Sequence, residues 1–189
     1  MAVHFKPYRT QGGLTGGETR DFIIANSQTI SLGEMVRLAS GFINTAGASS
    51  RILGACVGLV RDIGGGQTVP LDQDAAGSVT GTRSGNAGVL GSETYAAASD
   101  NQTVDKVMAR VLTDPNMEYH NDASADLAVS DLGQYYNLVA GSNQIDQATE
   151  TTFAETAATS QMILLEVDPD NDADLSKGIF KIVKSALQG

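Results

Sequence analysis

The sequence predicts a mainly β protein: an antiparallel β-barrel or sandwich with a flexible N-terminal arm and a long mid-chain loop or hairpin. Three observations carry this reading. Apolar residues fall in short β-branched or alternating runs bounded by turn residues, with no long 3.6-residue pattern. Glycine is abundant, 21 of 189 residues, while only 18% of residues are charged, which suits strands and turns and excludes a coiled coil. A chain of 189 residues is also long enough to bury one sizeable core without staples.

Residues 1–20 read as the arm. Gln11-Gly12-Gly13-Leu14-Thr15-Gly16-Gly17 has four glycines in seven residues and no periodicity. Fully extended, such a segment spans roughly 66 Å, against a radius of gyration of about 16 Å for the folded domain. Fixing its backbone costs on the order of 20–40 kcal/mol, so it is expected to stay mobile until a partner orders it. Phe5, Pro7 and Tyr8 are its natural anchors.

Residues 21–189 read as a single β domain. Asp21–Ala25, Thr29–Leu32, Met35–Leu38 and Phe42–Thr45 are short strand candidates, with a turn at Gly33-Glu34 and a break at Gly41. Ile52–Val60 is a continuous apolar run between charged residues, the pattern of a buried strand. Gly54 and Gly58 inside it predict bulges or close backbone approach. From Asp74 to Thr103, Gly, Ala, Ser and Thr make up 19 of 30 residues, and this insert reads as a projecting loop or hairpin. Order then returns. Val107, Ala109 and Val111 alternate with Lys106, Met108 and Arg110 as in a half-exposed strand. Asp114-Pro115-Asn116 is a turn before a short strand at Met117–His120, and Leu127–Tyr136 holds a helical turn closed by Gly133. Gln161–Val167 and Ile179–Lys184, joined by the acidic turn Asp168–Asp174, form a terminal hairpin.

The net charge is −10, which opposes generic nucleic-acid binding. It is unevenly spread: six basic and three acidic residues up to Arg61, then six basic and 19 acidic beyond. Such polarity can orient a protein on a partner. No stretch has the length and apolarity of a membrane span. The N-terminal residues show no secretory h-region and Cys56 is the single cysteine, so synthesis in a reducing cytoplasm is expected.

Residues suited to catalysis are few. His120 has Glu118 and Asp122 as nearby carboxylates but no positioned nucleophile. Cys56 lies in the most apolar run and reads as a small core residue. Asp168-Pro169-Asp170-Asn171-Asp172-Ala173-Asp174 places acids at positions 1, 3, 5 and 7 of a calcium-type loop, but Ala173 and Ile179 stand where an EF-hand needs Gly and Glu. A solvated turn is the expectation, with no metal and no cofactor. Asn101-Gln102-Thr103 is a formal glycosylation sequon, relevant only to a secreted chain. The sequence therefore reads as a binding or structural protein, not an enzyme.

Several segments carry a family likeness. Gly33-Glu34-Met35-Val36, Gly41-Phe42-Ile43, Ala46 and Ile52-Leu53-Gly54-Ala55-Cys56-Val57, then Val107–Val111 with Asp114–Tyr119, and the final hairpin with its Phe-x-Ile-Val strand, resemble the small β proteins that decorate tailed-bacteriophage heads. The likeness covers about two-thirds of the chain and leaves out the Gly/Ala/Ser/Thr insert. It implies a capsid decoration or cement role on the virion exterior, with the major capsid protein as partner. It also implies a homo-oligomer, with a trimer favoured, and no nucleic-acid or membrane partner. On this reading the arm docks on the capsid through Phe5, Lys6, Pro7, Tyr8 and Arg9. The alternative is a phage tail or fibre component, or another carbohydrate- or protein-binding β module, in which Tyr135-Tyr136 supplies the one adjacent aromatic pair.

Overall fold

In a computed structural model the described residues are 4–10, 17–48, 50–71, 79–86, 88–139, 144–151, 160–169 and 174–183. Their strands are β1 (Lys6–Thr10), β2 (Thr19–Ile23), β3 (Thr29–Ser31), β4 (Met35–Ala39), β5 (Phe42–Thr45), β6 (Gly54–Gly64), β7 (Gln67–Pro70) and β8 (Thr82–Ser84). There follow β9 (Thr94–Ala96), β10 (Val107–Leu112), β11 (Met117–Asp122), β12 (Tyr135–Leu138), β13 (Ile145–Thr151), β14 (Met162–Val167) and β15 (Lys177–Ile182). All strand-to-strand pairings are antiparallel. One sheet runs β1-β11-β15-β14-β12-β13. A second runs β2-β10-β6-β4-β5, with β7 also on β6, and a small third sheet runs β3-β9-β8.

The first two sheets pack face to face as a sandwich. One core lies between them, built from Phe5, Tyr119, Tyr136, Leu164 and Phe180 of the first sheet and Met35, Ala55 and Leu112 of the second. A second core lies on the other face of the second sheet, where Val36, Cys56, Leu59, Val107, Ala109 and Val111 meet Ile30 and Tyr95 of the small sheet. The second sheet is thus covered on both faces, which is why β6 reads as an unbroken apolar run.

Most local expectations hold. Val107, Ala109 and Val111 are buried while Met108 and Arg110 are half-buried. The terminal hairpin is β14–β15, with a register shift between Leu164 and Glu166. Val129–Asp131 is a single 3₁₀ turn, and Gly133 follows it at φ +81°. In β6 the register shifts where Arg110 faces Gly58 and Val111 faces Cys56, so Val57 is the extra residue of a bulge. Gly54 makes the expected close approach, to the carbonyl of Leu112.

One expectation is corrected. The N-terminal arm does not extend through residues 5–10: Phe5 is fully buried and Lys6–Thr10 is an edge strand. Thr19 and Arg20 likewise belong to β2, while residues 1–3 and 11–16 of the expected arm lie outside the described residues. Of the two forms expected for the insert, loop or hairpin, its described part takes the hairpin, and it packs on the domain. β8 and β9 form a hairpin that pairs with β3 and buries Tyr95 completely. Small residues are what allow this, because thin strands lie close to neighbouring backbone without displacing side chains.

Asn101 locks that hairpin to the second sheet. Its Nδ2 donates to the carbonyls of Ile24 (2.7 Å) and Val107 (3.1 Å), and its Oδ1 accepts from the Val107 N–H (3.2 Å) and the Tyr95 hydroxyl (3.4 Å). The sequon asparagine is fully buried, and its amide is spent on structure. Gln161 plays the same part between the sandwich halves, donating to the carbonyls of Gly47 (2.9 Å) and Ser50 (2.8 Å) and accepting from the Leu138 N–H (2.9 Å).

The turn between β3 and β4 carries a half-buried acid. The Glu34 carboxylate accepts the Ser31 N–H at 2.8 Å, and desolvation pushes its pKa up to about 7 from an ordinary 4.5. An acid raised in the folded state binds its proton more tightly there than in the unfolded chain. Its contribution to stability is therefore full below about pH 4.5 and is lost as pH rises through about 7. We predict that Glu34→Gln removes on the order of 1–3 kcal/mol of this pH dependence. In urea titrations at pH 5 and pH 8 the variant's stability changes less than that of the natural chain. Equal changes in both proteins would show that Glu34 is not the source.

Candidate functional site at the first strand

The residues singled out for docking, Phe5 to Arg9, sit together at the end of the first sheet, and the structure divides them into an anchor and a display. Phe5 is the anchor. Its ring meets Tyr119 edge to face, with centroids 6.2 Å apart and planes at 87°. Its N–H donates to the Gly33 carbonyl at 2.8 Å. Gly33 has φ +83°, and a Cβ there would press on His4 and the Phe5 carbonyl, so both the turn and the packing of the N-terminal segment require glycine.

Lys6, Pro7, Tyr8 and Arg9 are the display, and all four are exposed. β1 pairs with β11 in the register Lys6↔His120, Pro7↔Tyr119, Arg9↔Glu118 and Thr10↔Met117. The register shifts between Pro7 and Arg9, leaving Tyr8 as the extra residue of a bulge. Pro7 is at home here because an edge strand needs no ladder donor on its open side. A proline and a bulge also blunt the edge against further strand addition. This leaves side chains, more than backbone, to make contacts.

Arg9 is held in place. Its Nε donates to Glu118 and its Nη2 reaches Glu166 at 3.3 Å. The guanidinium also lies 5.1 Å from the centroid of the Tyr8 ring, within cation–π range. The hydrogen bond to Glu118 is the main cause that raises the Arg9 pKa further. The charge asymmetry of the sequence is thus partly folded away, since Arg9 from the basic third pairs with two acids of the acidic remainder. Nor is that third a separate end of the molecule: its strands are spread over all three sheets.

Of the other sequence candidates, Glu118, considered as a partner of His120, holds Arg9. Cys56 is fully buried, and desolvation pushes its pKa up to about 12, as befits an inert core thiol. Tyr136 is fully buried and Tyr135 is 9% exposed, so the pair is core and not a carbohydrate platform. Of the acidic turn, residues 170–173 lie outside the described residues, and Asp174 accepts from the Ser176 N–H (3.2 Å) and hydroxyl (2.7 Å). Among the described residues no group of three or more His, Cys, Asp or Glu could hold a metal ion. Among them, too, no helix is long and apolar enough to cross a membrane.

A cavity of about 240 Å³ lies where β6 passes Leu32, Pro70 and Gly88, with Glu93 and Arg110 on its wall. Both charges are engaged. Asp21 holds Arg110 through two contacts of 2.9 Å, and Glu93 accepts from Arg83 (2.9 Å) and the Gly88 N–H (2.6 Å). Sequence reasoning missed these two pairs, because Arg110 and Asp21 are 89 residues apart and meet only through the β2–β10 register.

Fold and site together define an antiparallel β-sandwich that presents an anchored aromatic and basic edge. Compared with known proteins, the chain matches no family model, no curated protein and no solved structure.

Proposed function

We propose that the chain is a structural virion protein that decorates the outside of a tailed-phage head and works by surface burial, not by chemistry. The observation that carries this reading is the exposed row Lys6-Pro7-Tyr8-Arg9, fixed to the sandwich through buried Phe5. A displayed tyrosine and two cations suit a protein partner, because aromatic and guanidinium groups supply much of the energy of protein interfaces. The segments that resemble head-decoration proteins support it too. The Gly33–Val36 turn and strand, the start of β6, strand β10 of the second sheet, strand β11 of the first and the β14–β15 hairpin all belong to the two packed sheets. The partner is the major capsid protein. A standard contact removes roughly 800 Å² from each side, and copies joined in a symmetric oligomer bind the lattice together through effective concentration.

Prebinding the row to the sandwich has an energetic purpose. A free arm would lose its backbone freedom on docking, whereas an edge strand has already lost it on folding. The test is co-sedimentation with undecorated heads of the phage that encodes the chain. The natural protein is expected to pellet with them. The double substitution Lys6→Glu with Tyr8→Ser is expected to weaken binding at least tenfold while the melting temperature stays within about 2 °C, since both side chains are exposed. Undiminished occupancy by the double variant, or no binding by the natural chain, would overturn the reading.

A further inference from the structure

We propose that β1 is an exchangeable strand: in the assembled protein, one copy lays its Phe5–Thr10 segment on the β11 edge of a second copy. The socket is built entirely by residues outside that segment. The β11 edge, the Tyr119 ring, the Gly33 carbonyl, Glu118 and Glu166 lie between positions 33 and 166. With β1 lifted away, this socket is an open strand edge beside an apolar hole the size of a phenyl ring. Two carboxylates flank it, one of them nearly buried. An unpaired edge, a hole and a buried anion are each costly to leave empty. Their joint complement is an extended segment with an aromatic residue followed four residues later by an arginine, which every copy of the chain carries at Phe5 and Arg9.

The connection permits either occupant. Thr10 is the cross-strand partner of Met117, and Gly17 lies so close to Leu112, Asp114 and Met117 that a Cβ would overlap them. The two ends of the link therefore rest against the same residue when β1 pairs with its own chain. Three of the six linking residues, Gln11–Gly16, are glycine, which restricts the path least. Followed outward from Gly17, the seven steps to Thr10 reach about 24 Å, or roughly five strand widths of 4.8 Å. Exchange remakes every contact of β1 in trans, so the two forms differ in linker and association entropy and little else, and concentration decides between them. The inference does not rest on head binding, because it concerns the purified protein alone.

Disulfide trapping tests it. Arg9 and Glu118 face each other across the β1–β11 ladder, and such pairs have Cα atoms about 4.5–5.5 Å apart, within disulfide range. Chains carrying Arg9→Cys are mixed with isotopically heavy chains carrying Glu118→Cys, refolded together at high concentration and oxidised. Cys56 is buried and out of reach. Exchange predicts a mixed light–heavy disulfide as the main product, at least tenfold above mixtures oxidised in urea. It also predicts covalent oligomers from the double variant Arg9→Cys/Glu118→Cys. The pair Lys6→Cys with His120→Cys, also directly opposed, repeats the test with the Arg9 contacts intact. If both double variants give only internally bonded monomers at every concentration, and the mixtures give no excess of mixed disulfide, the strand stays with its own chain and the proposal falls.

Discussion

Gly54→Ala is expected to destabilise the protein by about 3 kcal/mol or more, at the upper end of what overpacking costs. A methyl group at this position would fall inside the van der Waals surface of the Leu112 carbonyl oxygen and press on the Val111 side chain. The obstacle is backbone, so no rotamer change relieves it. Nor is there room to retreat, because Gly54 lies in the second sheet, which has a core on each face, and it is paired with Val36 of β4. The β6–β10 ladder would have to part at its Ala55–Leu112 end. For a chain of this size, each 1 kcal/mol lowers the melting point by roughly 2–4 °C, so a fall of about 6–12 °C is expected by calorimetry. Gly58→Ala is the control. The nearest atoms to a Cβ there belong to the Arg110 side chain, at 3.4 Å or more, which is ordinary contact. If the two variants melted alike, the close approach at Gly54 would not be what holds these strands.

The Gly54 contact was legible as a kind of feature but not as a particular contact. Two glycines in an apolar run announce close backbone approach, yet nothing local says that the approaching group is Leu112, 58 residues on. The same divide runs through the fold. The alternation of β10, the run of β6 and the β14–β15 hairpin are set by residues within one or two strands of each other, and these were readable. β1 was not, because its partner β11 lies more than 100 residues away and its own segment holds Pro7 and runs into glycines, as an arm would. The one internal sign was Phe5: an aromatic residue beside a glycine-rich stretch has more to gain from a core than from water. The insert was readable only as a loop or a hairpin: its Gly, Ala, Ser and Thr suit either, and Tyr95 and Asn101 supply the burial and hydrogen bonds that fix the hairpin. As for the proposed docking residues, composition was enough to single out the segment, while the division between buried Phe5 and the exposed residues after it depends on the β1–β11 register.

Phe5→Ala is expected to cost about 3–5 kcal/mol, and the loss should be concentrated in β1. The ring is fully buried, its edge-to-face contact with Tyr119 vanishes with it, and the hole opens at the edge of the core between the two large sheets. The remaining ties of β1 are its ladder to β11, the Phe5 N–H to Gly33 and the two Arg9 ion pairs, of which the one to Glu166 is exposed and worth little. The strand should therefore open before the rest of the domain, as a local event of low free energy. Hydrogen exchange on the β11 amides that face β1 should quicken by at least tenfold, while amides of β6 and β10 follow only the global loss of stability. Phe5→Leu, which keeps most of the apolar volume, should fall between the two. Because Lys6 to Arg9 keep their identities in Phe5→Ala, weakened head binding in that variant would measure what anchoring alone contributes. Unchanged exchange on β11 would mean that the ladder holds β1 without its aromatic anchor, and that the display needs no core residue to support it.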